Sequence, residues 1–268
     1  GASGSFDTSS ITAGQSATLM LNTSGATAPG SYPITVTGSG PSTTHTTTVT
    51  LTITAAQPSP SLVQAVGATE TSTSTTLTAT LPTASTAGDL LVLSASVYTG
   101  TTNHITSITD SAGNVWQRAN AWSVASHNSD GELWYAANAA PTTSIVAHLA
   151  LANTMAIQVL EFSGIATSNP LDTSVGTSNT GTAAASGPLT PAGSGELLIG
   201  MVAGHANAQT MTITSAGFTA QPQLNSTGTI ATVRTGYQVL TGTSPTSFGA
   251  SFGTAMYWAA GVVAFKAH

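Results

Sequence analysis

One segment of the chain occurs twice, and that repetition constrains the fold more than any other feature. The first version reads Ala87-Gly88-Asp89-Leu90-Leu91-Val92-Leu93-Ser94-Ala95-Ser96-Val97, and the second Ser194-Gly195-Glu196-Leu197-Leu198-Ile199-Gly200-Met201-Val202-Ala203-Gly204. The offset is 195 − 88 = 107. In both, a small residue, a glycine and one carboxylate precede a run too apolar for a half-wet strand, which predicts a turn feeding a strand buried on both faces. The flanks repeat as well. Ile105-Thr106-Ser107-Ile108-Thr109-Asp110-Ser111-Ala112-Gly113 returns loosely as Met211-Thr212-Ile213-Thr214-Ser215-Ala216-Gly217, and Gln158–Gly164 returns as Gly261–Ala267.

The duplicated part runs from Leu62 to His268, with copies at about 62–166 and 171–267. Its short alternating runs predict strands near Leu62–Val66, Thr75–Thr80, Asp89–Val97, Ile105–Asp110, Val115–Arg118, Ala121–Ala125, Glu132–Ala136, Ser144–Leu149 and Met155–Ser163. The second copy predicts Gly195–Val202, Met211–Thr214, Phe218–Gln221, Thr232–Leu240, Thr246–Phe252 and Met256–Phe265. No stretch has helical periodicity at useful length. Two such copies form tandem sandwiches or interleave as one large jelly roll with a pseudo-twofold repeat; the short connection Thr167-Ser168-Asn169-Pro170 favours the single jelly roll. The patterns Ala-Gly-Asp-Leu-Leu, Thr-Asp-Ser-Ala-Gly-Asn, Leu-Trp-Tyr-Ala and Val-Leu-Glu-Phe-Ser-Gly resemble an uncharacterised class of bacterial secreted β-sandwich modules, a resemblance that carries no activity with it.

Charged residues make up only 4% of the chain, against about 25% in ordinary domains. Thr and Ser therefore cover the wet faces. Three Lys plus Arg cannot make an electrostatic footprint for nucleic acid or an anionic membrane. The apolar runs stop well short of about 20 residues, so no transmembrane helix is expected. An apolar content of 40% in regular alternation is more than a disordered segment carries. Few titratable groups mean a weak dependence of stability on pH, which suits an extracellular protein in a harsh, acidic medium. Cys is absent, so the core alone must hold the fold.

Residues 1–54 read as a separate module. Thr18-Leu19-Met20-Leu21 is a short apolar segment, Ser31–Thr37 follows the turn pair Pro29-Gly30, and His45–Ile53 alternates with period two. From Ser16 to Ile53 this segment resembles the C-terminal half of the immunoglobulin-like modules strung along bacterial secreted proteins. Such a sandwich has about seven strands, and only three or four are countable here. The opening Gly1-Ala2-Ser3-Gly4-Ser5 resembles the interior of a longer protein or a processed end. A partial sandwich leaves open edges and an uncovered apolar face, a template for a strand from elsewhere. Residues 55–61, Ala55-Ala56-Gln57-Pro58-Ser59-Pro60-Ser61, read as a linker stiffened by two prolines.

Candidate chemistry is sparse. Asp110-Ser111-Ala112-Gly113-Asn114 could hold calcium, but it offers one carboxylate where a calcium loop needs several and reads as a turn. Asp130-Gly131-Glu132 likewise reads as a hairpin turn. Trp122 and Trp134, with Asp130 and Glu132, are the candidate glycan contacts of a carbohydrate-binding module; the alternative is that the Trp residues fill the core. Glu132 and Glu161 could in principle meet across a sheet as the two carboxylates of a glycosidase, although the second copy has Ala264 at the Glu161 position and no motif fixes their separation. The six His residues lack metal-site spacing, and no nucleophile elbow or phosphate loop is present. Asn22 and Asn225 lie in glycosylation sequons. The expectation is an all-β, non-enzymatic, extracellular structural protein without catalytic, cofactor or metal residues. It would be a subunit of a surface filament, stalk or adhesin that associates with itself, and the alternative is a polysaccharide-binding module of a secreted hydrolase.

Overall fold

The computed structural model describes residues 1–55, 58–99, 104–124, 127, 129–205 and 209–268. The expected linker residues Ala56 and Gln57, and the expected strand end Ala125, lie outside them. The chain divides into two units, Gly1–Gln57 and Pro58–His268. Among the described residues there is no α-helix.

The first unit is two hairpins: β1 (Ala2–Phe6) pairs with β2 (Leu19–Thr23), and β3 (Gly30–Ser39) with β4 (Thr44–Ile53). In the second hairpin, cross-strand partners such as Thr35 and Thr48 or Thr37 and Thr46 line one face, while Ile34 with Val49 and Tyr32 with Leu51 line the other. No described residue of this unit is buried.

The second unit carries the duplication. Its first copy comprises β5 (Ser61–Thr69), β6 (Ser74–Thr80), β7 (Leu90–Val97), β8 (Ile105–Asp110), β9 (Trp116–Val124), β10 (Ser129–Ala136), β11 (Ser144–Asn153) and β12 (Met155–Ser163). These form a five-stranded sheet, β5-β12-β7-β10-β9, and a three-stranded sheet, β6-β11-β8. The second copy comprises β13 (Leu171–Ala185), β14 (Leu197–His205), β15 (Thr212–Ile213), β16 (Thr219–Ala220), β17 (Leu224–Asn225), β18 (Thr232–Val239) and β19 (Gly249–Phe265). The order is the same, with two strands fused: β13 does the work of β5 and β6, and β19 that of β11 and β12. Leu171–Gly181 pairs with Met256–Phe265, then the register breaks and Ala183–Ala185 pairs with Gly249–Ser251. β15 adds to that second stretch just as β8 adds to β11.

Each copy therefore closes its own pair of sheets. All strands of β5-β12-β7-β10-β9 come from the first copy, so the two halves pack as separate sandwiches and do not interleave. One apolar core fills the first sandwich around Leu91, Leu93, Ile145, Ile157 and Trp134; another fills the second around Leu198, Val202, Phe248 and Val262. A third core lies between the two five-position sheets, around Val92, Leu133, Leu160, Ile199, Met201 and Val263. That arrangement is why Leu90–Val97 and the strand Leu197–His205 up to Gly204 are buried at every position, since β7 has one core on each face and so does β14. The contacts are reciprocal: β9 meets β13 and β19, β5 and β12 meet β17, and the equivalent strands β7 and β14 meet each other. This is the pattern of an isologous dimer fused into one chain.

The repeated glycines occupy the left-handed region, Gly88 at φ 93° and Gly195 at φ 80°, as a turn before each central strand requires. Gly131 serves close approach instead. A Cβ there would lie 2.8 Å from the Ala203 Cβ across the inter-copy core. Asp130-Gly131 is therefore no hairpin turn: both residues lie inside β10, directly after its first residue Ser129.

Candidate functional site

The four residues expected to contact glycan are all in the interior. Trp122 is 9% exposed, Trp134 7%, and Asp130 and Glu132 0%. The Trp122 ring fills the hollow left by Gly176 and Gly261, cross-strand neighbours in the other copy. Trp134 belongs to the core of the first sandwich, where its Nε1 donates to Glu132 Oε2 at 2.9 Å and the Arg118 guanidinium lies 5.1 Å from its ring centroid. Sugar stacking needs exposed ring faces; these rings are packed, so no glycan platform exists at these positions.

Period two brings Asp130, Glu132 and Trp134 onto one face of β10. Glu132 accepts from the Ile105 amide at 2.8 Å, from Trp134 and, at 3.4 Å, from Arg118 Nη1, three donors for the roughly four acceptor sites of a carboxyl group. Asp130 has no well-formed hydrogen bond from any donor to either oxygen. Burial foremost, then the Glu132 charge beside it, pushes its carboxyl up to about 9, against a weaker pull from the His104 amide and Arg118. Burial and the neighbouring carboxyl thus favour the protonated form of Asp130 beside Glu132.

Glu161 lies at the far end of the same sheet. Its Oε1 accepts from the Thr86 amide and its Oε2 from Gln64 Nε2, both at 2.6 Å. Asp89, 9% exposed, hydrogen-bonds it, and burial together with the Glu161 carboxyl raises Asp89 to about 6. Glu132 is opposite Ala95 and Glu161 opposite Leu91, on the two neighbours of β7. Two strand spacings and four residues of rise put these groups about 16 Å apart. Glycosidase carboxyls lie within about 5–9.5 Å of each other, so Glu132 and Glu161 do not form a glycosidase pair.

The calcium reading of Asp110 gives way to the turn. Its Oδ1 accepts the amides of Ala112 and Asn114 at 2.9 and 3.1 Å, and its Oδ2 accepts Trp116 Nε1 at 2.8 Å. Both oxygens are therefore occupied by the protein. Among the described residues no group of three His, Asp or Glu could hold a metal. Asn22 is exposed on β2 and Asn225 on β17; the Asn225 Oδ1 accepts from Gln223 Nε2 and Thr232 Oγ1, both at 3.0 Å.

Three arrangements carried no local signal. Tyr98 and His205, one residue past the equivalent ends of the repeated segments, touch edge to face with centroids 4.8 Å apart. His127 stacks on Tyr257 at 3.8 Å. Glu196, the counterpart of Asp89, hydrogen-bonds Asp172 at the start of β13, and burial first and the Asp172 charge second raise its carboxyl. Only the offset of 107 linking Tyr98 with His205 could have suggested the first; the other two depend on strand pairing.

A concave feature lies in the first unit. An open cavity of about 640 Å³ lies between the hairpins, lined among others by Phe6, Leu19, Leu21, Tyr32, Ile34 and Leu51. Phe6 is 45% exposed and Met20 51%.

The class defined by these features is an all-β sandwich protein. In comparisons with known proteins, no family model matches the chain, and neither a curated protein nor a solved structure does.

Proposed function

We propose that this is a non-enzymatic extracellular structural protein, a subunit of a surface filament or stalk that assembles through strand and sheet-edge contacts made by the first unit. The observation that carries the reading is that this unit pairs its backbone in two hairpins yet buries no described residue. Ile34, Val36, Val49 and Leu51 share one face of β3–β4, and Leu19 and Leu21 share one face of β2. Apolar faces of this kind are stable when another layer covers them, and open strand edges accept further strands. A further copy supplying strands to the groove accounts for both. Such a contact is heterologous and propagates unless rotation closes it. The carboxyls in the second unit support a structural role there, because Asp130, Glu132 and Glu161 face the core and meet no solvent.

The test is assembly by the whole chain, followed by light scattering and negative-stain electron microscopy. The expected result is concentration-dependent oligomers or fibres that disappear in Leu51→Asp, with the thermal transition of the second unit unchanged. Monomers at all concentrations, or assembly indifferent to Leu51→Asp and Ile34→Asp, would overturn the proposal.

A further inference from the structure

Nine carboxylates serve the whole chain, and six of them meet another carboxyl. Asp130 and Glu132 stand two residues apart on one face of β10, both 0% exposed. Asp89 hydrogen-bonds Glu161 where β7 begins, and Glu196 hydrogen-bonds Asp172 where β14 begins. The last two pairs occupy equivalent places but are not copies of one another. Ala264 stands in the second copy where Glu161 stands in the first, both opposite the second residue of the central strand. The second copy supplies its partner carboxyl from β13 instead. The two copies thus reach a carboxyl pair at the same place from different strands.

The surroundings supply too little positive charge to neutralise two carboxylates at each place. Around Asp130 and Glu132, β9 contributes Arg118 and the segment before β8 contributes the His104 amide; His148 of β11 bonds Thr109 on β8. Around Asp89 and Glu161 the neighbours are the neutral Gln64 and the Thr86 amide. Around Glu196 and Asp172 lie the exposed Lys266 and the amides of Gly193 and Ala192. Two like charges brought this close in the interior repel, and one retained proton turns their repulsion into a hydrogen bond.

We propose that the three carboxyl pairs are proton-bridged clasps that stabilise each of the two sandwiches from within in acid, in a chain that has no disulfide. The sign follows from linkage. Asp130, held at about 9, and Asp89, held at about 6, bind protons in the folded state that the unfolded chain binds only near 3.8. Stability contributed by these groups is complete below about pH 4 and is lost as pH rises through 6 and then 9. Glu70, raised by burial, acts in the same direction. Asp7, Asp110 and His205 act in the opposite one, so the decisive comparison is between variants.

The experiment is the thermal midpoint of the whole protein from pH 4.5 to 9, for wild type, Asp130→Asn and Asp89→Asn, with the infrared carbonyl band of a protonated carboxyl recorded at pH 7. The expected wild type melts about 5 °C or more higher at pH 4.5 than at pH 9. Asp130→Asn flattens that slope above pH 6 and removes the infrared band, and Asp89→Asn flattens it between pH 4.5 and 7. If Asp130→Asn does not fold, the infrared band of the wild type and the Asp89→Asn slope decide. A wild-type midpoint that is flat or falls toward acid, or the absence of a protonated carboxyl at pH 7, would overturn the proposal.

Discussion

Trp122 of the first copy lies flat against Gly261 of the second, so closely that a Cβ at Gly261 would overlap the indole ring. A Trp over a Gly pair turns two flat sheets into a keyed joint, because the ring fills a hollow that only missing side chains can leave. The residue singled out as a sugar contact is thus the main peg between the duplicated halves.

Trp122→Ala is expected to cost about 3–5 kcal/mol and Gly261→Val about 1–3 kcal/mol in chemical denaturation. The double variant should cost less than the sum, since the new valine enters the space that the ring vacates. Strictly additive costs would show that the two residues do not share the joint.

Ser94 Oγ and Thr235 Oγ1 meet at 2.6 Å inside the same interface. Ser94→Ala alone leaves the Thr235 hydroxyl buried without its partner and should cost about 1–3 kcal/mol. Ser94→Ala with Thr235→Val removes both polar groups and should restore most of that loss. A double variant as unstable as the single one would contradict the pairing.

Asp110 works in the opposite sense to the paired carboxyls. Burial alone would raise its carboxyl, but hydrogen bonds from Trp116, Asn114 and Ala112 outweigh it and hold it below 3.8. Its contribution is therefore present above about pH 4 and lost as pH falls through the folded value. Asp110→Ala should cost about 1–3 kcal/mol at pH 7, a difference that shrinks as the denaturation midpoint is followed below pH 3. A loss independent of pH would remove the carboxylate from the account.

Asn22 and Asn225 are both exposed, but the Asn225 Oδ1 is held by two side chains. In a host that glycosylates sequons, the mass increment should disappear in Asn22→Gln and persist in Asn225→Gln, because Gln223 Nε2 and Thr232 Oγ1 fix the orientation of the Asn225 carboxamide. The reverse pattern in intact mass would contradict this geometry.

The division between what was legible in the chain and what was not follows the range of the forces. Leu90–Val97 and Leu197–His205 announced strands buried on both faces through continuous apolarity alone, and the repeat offset disclosed the duplication. Gly131 misled, because an Asp-Gly dipeptide looks the same whether the glycine makes a turn or admits Ala203 from a facing sheet. The fusion of the expected strand Thr246–Phe252, from Gly249 onward, with Met256–Phe265 into β19 was hidden as well, since the intervening Gly253 and Thr254 read locally as a break. For the carboxyls, sequence spacing joined Asp130 to Glu132 but could not join Glu196 to Asp172, whose meeting depends on how β13 enters its sheet. Burial of Trp122 and Trp134 likewise depends on the third layer.

The central claim is that strands of the first unit are completed between molecules, and amide hydrogen exchange on dilute and assembled protein tests it most directly. The account predicts that amides on the open edges of Ala2–Phe6, Leu19–Thr23, Gly30–Ser39 and Thr44–Ile53 exchange freely in dilute protein and gain protection on assembly, while Leu90–Val97 and Leu197–His205 are protected in both. Assemblies that form with the exchange of residues 1–54 unchanged would contradict it.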